Sequence, residues 1–505
     1  VKITRHLPLL AALSLAAPTL HAQAHVTADA PVLMLSDIHL DPFHDPAKLP
    51  QLRKAPVASW QAILDAPPTA TQVADFTSLQ STCGARGIDT PAALLEASLK
   101  AAHTQQPHPI FVTVSGDLMA HQFDCRFHTL APEATPADYS AFAAKTVAFV
   151  ALRLRQTFPG IPVYLALGNN DSGCKDYRED PNSAYLQADG NSFASAAAPK
   201  HDALTTANRA AIQSEFSHYG DYNIALPIPH TRLIVLQDIF ESKKYTACDG
   251  TETNDPTTAQ TTWLRTQLTN ARAAHEHVWI MAHIPPGIDA YTTFTKGRNV
   301  CTTGDNGKPT KAEMFLSSED LASVIAGFPD TIRLALFGHT HMDEMRVYTS
   351  PDGTPIPGKL VPSITPVNGN NPAFTVAEVD PRTATLKDYT VFAATKPANW
   401  DTAPTWHEEY RFSTTYNLPD LSGPSLAKLT ASFLADKTSS TPASQAFQRF
   451  YFVGDPIANT GISGNLKAAA MKVVWPAYGC SITQATQAGF KSCVCPAQPA
   501  PPSAQ

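Results

Sequence analysis

The 505-residue sequence predicts an α/β fold with mixed sheets, and three observations carry that prediction. Short apolar, β-branched runs recur along the chain, and each stops at a turn residue, as buried strands do. Patterns of helical period lie between them, at 92–103, 139–156, 262–274 and 319–326. A hydrophobic content of 43% can bury a sizeable core. Alternation of this kind builds sheets covered by helices. The 43 prolines imply long irregular connections.

Residues 1–24 read as an export signal. Lys2 and Arg5 form a positive start, an apolar stretch follows from Leu7 to Leu20, and "LHAQA" offers small-residue cleavage points after Ala22 or Ala24. No other stretch approaches the ~20 apolar residues of a membrane span, so no transmembrane anchor is expected. Removing the signal takes away two basic residues and no acid, moving the formal charge from −7 to −9. A surface of that charge lacks the basic footprint of a nucleic-acid binder, and no nucleic-acid duplex is expected as partner. An exported chain meets oxidising conditions, so the eight cysteines are expected as disulfides. Cys493 and Cys495 are too close for an easy mutual bond; each looks elsewhere, with Cys480 a candidate.

The strand ends carry the chemistry. "PVLMLSDIHLD" ends in Asp37 and His39, and "PIFVTVSGDLMAH" in Gly116 and Asp117, with His121 four residues on. "IPVYLALGNND" delivers Asn169, Asn170 and Asp171, and "HVWIMAHIPPG" delivers His283. "LALFGHTHMDE" delivers His339 and His341, two apart and therefore on one side of an extended segment. Asp and Asn favour turns for local backbone reasons. That preference does not account for histidines at equivalent positions, and in α/β folds ligand sites gather at the carboxyl ends of strands. Imidazole with carboxylate suits zinc, with manganese or iron as alternatives, rather than calcium. Six such side chains plus an amide oxygen are too many for one tetrahedral ion and suit two, which at ~3.5–4 Å can clamp both oxygens of a phosphoryl transfer.

Asp-x-His, Gly-Asp, Gly-Asn, His and Gly-His-x-His in this order resemble the calcineurin-like metallophosphoesterases. More narrowly, "SDIHLDP", "HIPPG", "FGHTHMDEMRVY", "PSITPVNGNNPAF" and "PTWHEEYRFSTTYNLPDL" look like the acid sphingomyelinase-like phosphodiesterases, from residue 32 to about 495. The resemblance implies a four-layer α/β/β/α sandwich, with a catalytic domain over 30–395 and a small helical C-terminal subdomain over 396–495; the composition of "PAQPAPPSAQ" reads as a disordered tail at 496–505. It implies that Asp37, His39 and His341 hold one divalent ion, that Asn169, His283 and His339 hold a second, and that Asp117 bridges them. It also suggests a Cys248–Cys301 disulfide.

Two departures shape the functional expectation. Mammalian acid sphingomyelinase carries a saposin-like lipid-lifting domain before its first metal motif, and here only residues 25–36 separate the signal from Asp37. The family often reads Gly-Asn-His, with the histidine on the substrate; here Asn170 takes that place, as in endopolyphosphatase-like relatives, and an amide cannot serve as a general acid near neutral pH. His121 becomes the expected proton donor. The expectation is an exported or periplasmic two-metal phosphoesterase. It would hydrolyse phosphodiester or phosphoanhydride bonds of small soluble nucleotide-like or choline-linked substrates by attack of a metal-bound hydroxide, with Asn169 and Asn170 steadying charge. Endopolyphosphatase and sphingomyelin-type lipid phosphodiesterase are the alternatives, and a metal-binding recruitment scaffold is the non-enzymatic one. His44 is expected near the pocket mouth. Segments 186–206 and 251–262 read as surface insertions. Trp406, Tyr410, Phe447, Phe450 and Tyr451 recur at helix-like spacings as packing residues.

Overall fold

The computed structural model describes residues 29–200, 203–304, 308–395, 400, 402–454 and 462–495. The expected signal and tail lie outside them. In chain order the strands are β1 (Ala30–Leu35), β2 (Phe111–Val114), β3 (Val163–Leu165), β4 (Tyr222–Ala225), β5 (Thr231–Val235), β6 (His277–Met281), β7 (Ile332–Phe337), β8 (Glu344–Thr349), β9 (Pro355–Leu360), β10 (Ala373–Asp380), β11 (Thr385–Ala394) and β12 (Trp406–Arg411). They form two six-stranded sheets, ordered β12-β11-β10-β1-β2-β3 and β4-β5-β6-β7-β9-β8. Both are mixed: β1, β2 and β3 run parallel, as do β5, β6, β7 and β9, while the flanking strands pair antiparallel.

Side-chain alternation explains why the runs are apolar throughout rather than at every second residue. Along β6, Trp279 and Met281 join the large core between the sheets, while Val278 and Ile280 join a second core under the outer helices. Strand β7 divides the same way, with Leu334 and Leu336 inward and Ala335 and Phe337 outward. A strand covered on both faces needs apolar residues at both parities. Trp279 meets Phe111 of the other sheet edge-on at 5.7 Å and donates its indole N–H to the Ala384 carbonyl at 2.8 Å. Helices at Ala92–Gln105 and Pro136–Thr157 cover the first sheet, and those at Asp255–Ala273 and Asp320–Ala326 the second. The result is an α/β/β/α sandwich.

Three expectations need correction. Segment 186–206 is not a surface insertion: it lies largely in helices Ala184–Ala197 and Ala203–Tyr219, and Leu186, Phe193 and Ala194 are buried. Most of 251–262 likewise opens the helix Asp255–Ala273. Trp406 and Tyr410 sit on β12, an edge strand of the first sheet, not on a helix; Tyr410 still packs as expected, stacked on Phe450 at 4.5 Å. The third concerns the disulfides. Cys248 bonds Cys174, and Cys301 bonds Cys495; the remaining pairs are Cys83–Cys125 and Cys480–Cys493. Cys174 follows the β3 loop, so the bond made by Cys248 ties together two loops on one side of the sheets, while Cys301 reaches the C-terminal helices.

Peptide mapping without reduction should therefore recover Cys174 linked to Cys248 and Cys301 linked to Cys495. A Cys248–Cys301 peptide would contradict the chain path described.

Candidate metal centre

The carboxyl ends of β1, β2 and β3 in one sheet and of β6 and β7 in the other converge. Asp37 donates its N–H to the Gly116 carbonyl at 3.0 Å, His39 to Asp117 at 2.9 Å, and Gly338 to His283 at 2.9 Å. The Ser115 hydroxyl donates to Ser36 Oγ of the neighbouring strand end at 2.8 Å and, across the sheets, to the Phe337 carbonyl at 3.2 Å. The chain turns sharply as each strand ends. Asp37, His39, Asp117, His339 and His341 all have φ between 46° and 71°, a left-handed region costly for residues with a Cβ. Such distortion clusters at functional sites. Two glycines allow the loops to meet. A Cβ on Gly168 would overlap the Asp117 carboxylate, and one on Gly338 would lie 2.6 Å from Asp37 Oδ2.

Asp117 sits at the centre. Its Oδ2 lies 3.1 Å from His283 Nε2 and 3.4 Å from His39 Nε2. Asn170 donates to both its oxygens, the backbone N–H to Oδ1 and the side-chain amide to Oδ2, each at 2.8 Å. The outer nitrogens of the rings are fixed from behind: His39 Nδ1 bonds the Met119 carbonyl and His283 Nδ1 the Ser115 carbonyl, both at 2.8 Å. Asp37 Oδ1 lies 3.4 Å from His341 Nε2, whose Nδ1 meets the Asn368 amide at 3.1 Å. His339 Nδ1 lies 2.9 Å from Asn169 Oδ1, and the Asn169 amide donates to Asp176 at 2.8 Å. The structure thus brings all seven expected ligand residues together. The donor atoms of Asp37, His39, Asp117 and His341 lie within 4.8 Å of one another.

The electrostatics divide the histidines. Burial opposes charge on His39, yet Asp117 and Asp37 raise it to about 9; the same balance raises His283 to about 10. Burial and the neighbouring His283 push His339 down to about 3, and burial with His39 pushes His341 well below its ordinary value. Burial would push Asp117 up, but His283 and His39 hold its carboxyl well below the usual carboxylate range. The inward nitrogens of His39 and His283 are buried with no hydrogen-bond partner among the described residues. Orphaned imidazole nitrogens aimed at one buried carboxylate are what a cation would satisfy. The donor set fits divalent metal binding.

His121 lies beside this centre, stacked on His39 at 4.0 Å, with Nδ1 2.8 Å from Asp89 Oδ1. In front opens a cavity of about 360 Å³ bordered by His121, Asn169, Asn170, His339 and His341. His44 does not reach it. After Asp41 the chain bends into the turn and helix at Pro46–Lys48 and Leu49–Lys54, and His44 packs against Phe76 at 4.6 Å beside a separate cavity.

Residues 30–343 match the family model described as calcineurin-like phosphoesterase. The chain belongs to this family. It is a hydrolase. Among curated relatives, acid sphingomyelinase-like phosphodiesterase 3b of Mus musculus is 29% identical over 405 residues, covering 77% of this chain and 76% of that protein. The Homo sapiens protein of that name is 26% identical, covering 91% and 89%. Cyclic GMP-AMP phosphodiesterase SMPDL3A of Bos taurus is 26% identical over 55% of this chain and 58% of that protein.

Sequence reasoning named Asp171 without its clamping role and missed the supporting Asp89 and Asp176. Asp171 accepts from the backbone N–H groups of Leu118, Met119 and Gly168 at 2.8–2.9 Å, clamping the β2 and β3 loops. Burial would raise Asp89, but the adjoining His121 holds it down at about 2. Asp89 and Asp176 sit in segments with no strand-end pattern; only Asp171, the acid of "GNND", offered a signal.

Against the opposing effect of burial, Asp117 raises His39 and His283 to about 9 and 10, so both are expected to carry protons at pH 7 in the metal-free protein, and a bound dication must displace them. Metal loading should therefore release about two protons per chain, and affinity should rise with pH up to their release near 9 and 10. Calorimetric titrations in buffers of different ionisation heat count those protons. Binding without proton release would contradict the arrangement.

Proposed function

We propose that the protein is an exported phosphoesterase that hydrolyses phosphodiester or phosphoanhydride bonds of small soluble, nucleotide-like or choline-linked substrates with two divalent ions, zinc foremost. One observation carries the reading: a single buried carboxylate oxygen, on Asp117, lies within 3.4 Å of two orphaned imidazole nitrogens at the floor of an open cavity. Asp37, His39 and His341 would hold the first ion, Asn169, His283 and His339 the second, and Asp117 both. Such a pair supplies Lewis-acid polarisation of phosphoryl oxygens and a water nucleophile at neutral pH.

The chain's own groups supply the rest. Asn170 fixes Asp117 through two hydrogen bonds and so keeps the shared ligand in register. The Asn169 amide, anchored on Asp176, directs Oδ1 toward His339 and the cavity. Asp89 holds Nδ1 of His121, which leaves Nε2 to deliver a proton to a departing alkoxide at the cavity wall. The cavity's size supports a small-molecule substrate, as do the phosphodiesterase names of the relatives. The four disulfides support export, and no helix among the described residues is long and apolar enough to cross a membrane.

Hydrolysis of bis-p-nitrophenyl phosphate by the metal-loaded chain tests the reading; a recruitment scaffold would show no turnover. Asp117→Asn removes a charge that both ions need while preserving shape. It should cost at least one bound ion and nearly all turnover while circular dichroism stays native. Two ions retained in this variant would contradict the bridging role. His121→Ala should cost roughly 10²–10⁴ in turnover of substrates with alkoxide leaving groups, and much less for p-nitrophenolate, which departs unprotonated. Equal losses on both would remove His121 as the acid.

A further inference from the structure

Two exposed cations stand at the mouth of the catalytic cavity. Arg86 precedes the helix Ala92–Gln105, and Lys244 follows the turn Asp238–Glu241. Among the described residues, neither side chain forms a hydrogen bond or an ion pair. The contrast with the neighbours is direct: Lys243, Lys296 and Arg298 all pair with Glu313 on the outer surface. Lys244 instead turns inward, its ammonium 4.3 Å from the centre of the Tyr177 ring.

The acids at the same mouth are already engaged. Asp176 accepts the Asn169 amide, and Asp289 accepts the Thr292 N–H as the cap of a short helix. Both act on Lys244 electrostatically, and neither pairs with it. Arg86 lies near enough to disfavour the Lys244 charge. Two like charges at one mouth, neither directly paired with an acid, favour an anion that can join them. The scissile phosphoryl would sit deeper, over the histidines, so that anion is a second group on the same substrate.

We propose that Arg86 and Lys244 form an anion subsite that takes the phosphate adjacent to the scissile one, making phosphoanhydrides the preferred substrate class over choline esters. The proposal rests on the hydrolase reading above. Choline is doubly disfavoured: it meets two cations, and Tyr177, the phenol ring of this cavity, has its face occupied by the Lys244 ammonium. Quaternary ammonium recognition needs an open aromatic face. A nucleoside triphosphate and inorganic tripolyphosphate share the required chemistry, so the subsite treats them alike.

The test compares the metal-loaded full chain with the variants R86Q/K244Q and R86K/K244R on ATP, tripolyphosphate and p-nitrophenyl phosphorylcholine. In R86Q/K244Q the selectivity for ATP over the choline ester, as a ratio of kcat/KM, should fall by at least about 30-fold, mostly through KM. Tripolyphosphate should follow ATP, and R86K/K244R should stay within about 3-fold of wild type on that scale. An unchanged ratio overturns the subsite. A fall for ATP without one for tripolyphosphate also overturns it, because the cations would then read the nucleoside. Absence of turnover by wild type on every substrate would instead remove the hydrolase reading. Calorimetric titration with imidodiphosphate against phosphocholine then still decides the subsite, with tighter imidodiphosphate binding lost in R86Q/K244Q supporting it and equal binding by both proteins overturning it.

Discussion

The arrangement of the site turns on one buried carboxylate. Asp117 lies where two sheets end, faces two imidazole nitrogens and accepts two hydrogen bonds from Asn170. A charge so far from water is expensive unless it is paired and hydrogen-bonded. The fold supplies that compensation from β1, β2, β3 and β6 at once. Each strand end must therefore arrive at a set position, and the backbone bends into the left-handed region at Asp37, His39, Asp117, His339 and His341 to achieve it. The strain is sustained by the surrounding bonds, among them the three N–H groups that Asp171 gathers from two loops.

The two layers of core make this placement possible. The inner core, with Trp279 against Phe111, holds the sheets face to face, and the serine bridge from Ser115 to Ser36 and Phe337 registers their ends. Gly168 and Gly338 lack the Cβ atoms that would separate the loops. Packing thus fixes where the donors stand, and the donors fix the chemistry. The cavity in front inherits its character from loop residues the core does not constrain. Its charge pattern, with Arg86 and Lys244 at the mouth, is accordingly a matter of specificity more than of stability.

Much of this was legible in the sequence because strands buried on both faces read as continuous apolar runs, and their ends are marked by glycine and polar residues. That made Asp37, His39, Asp117, Asn169, His283, His339 and His341 visible as one group before any coordinates. What lay hidden did so for physical reasons. Asp89, Asp176, Arg86 and Lys244 come from connecting segments, whose route across the surface no periodicity encodes. The helix Ala184–Ala197 is Ala-rich and only weakly amphipathic, so it resembled an insertion although its Leu186 and Phe193 are core residues. Cysteine pairing depends on which loops the sheets bring together, and Cys174 met Cys248 through a juxtaposition that spacing does not reveal.

The central claim is that activity requires two ions sharing Asp117. Titrating the chelator-stripped chain with zinc, while following both bound zinc and turnover of bis-p-nitrophenyl phosphate, tests it most directly. The account predicts that turnover emerges only as the second equivalent binds and saturates at two per chain. Full turnover at a single equivalent would contradict it.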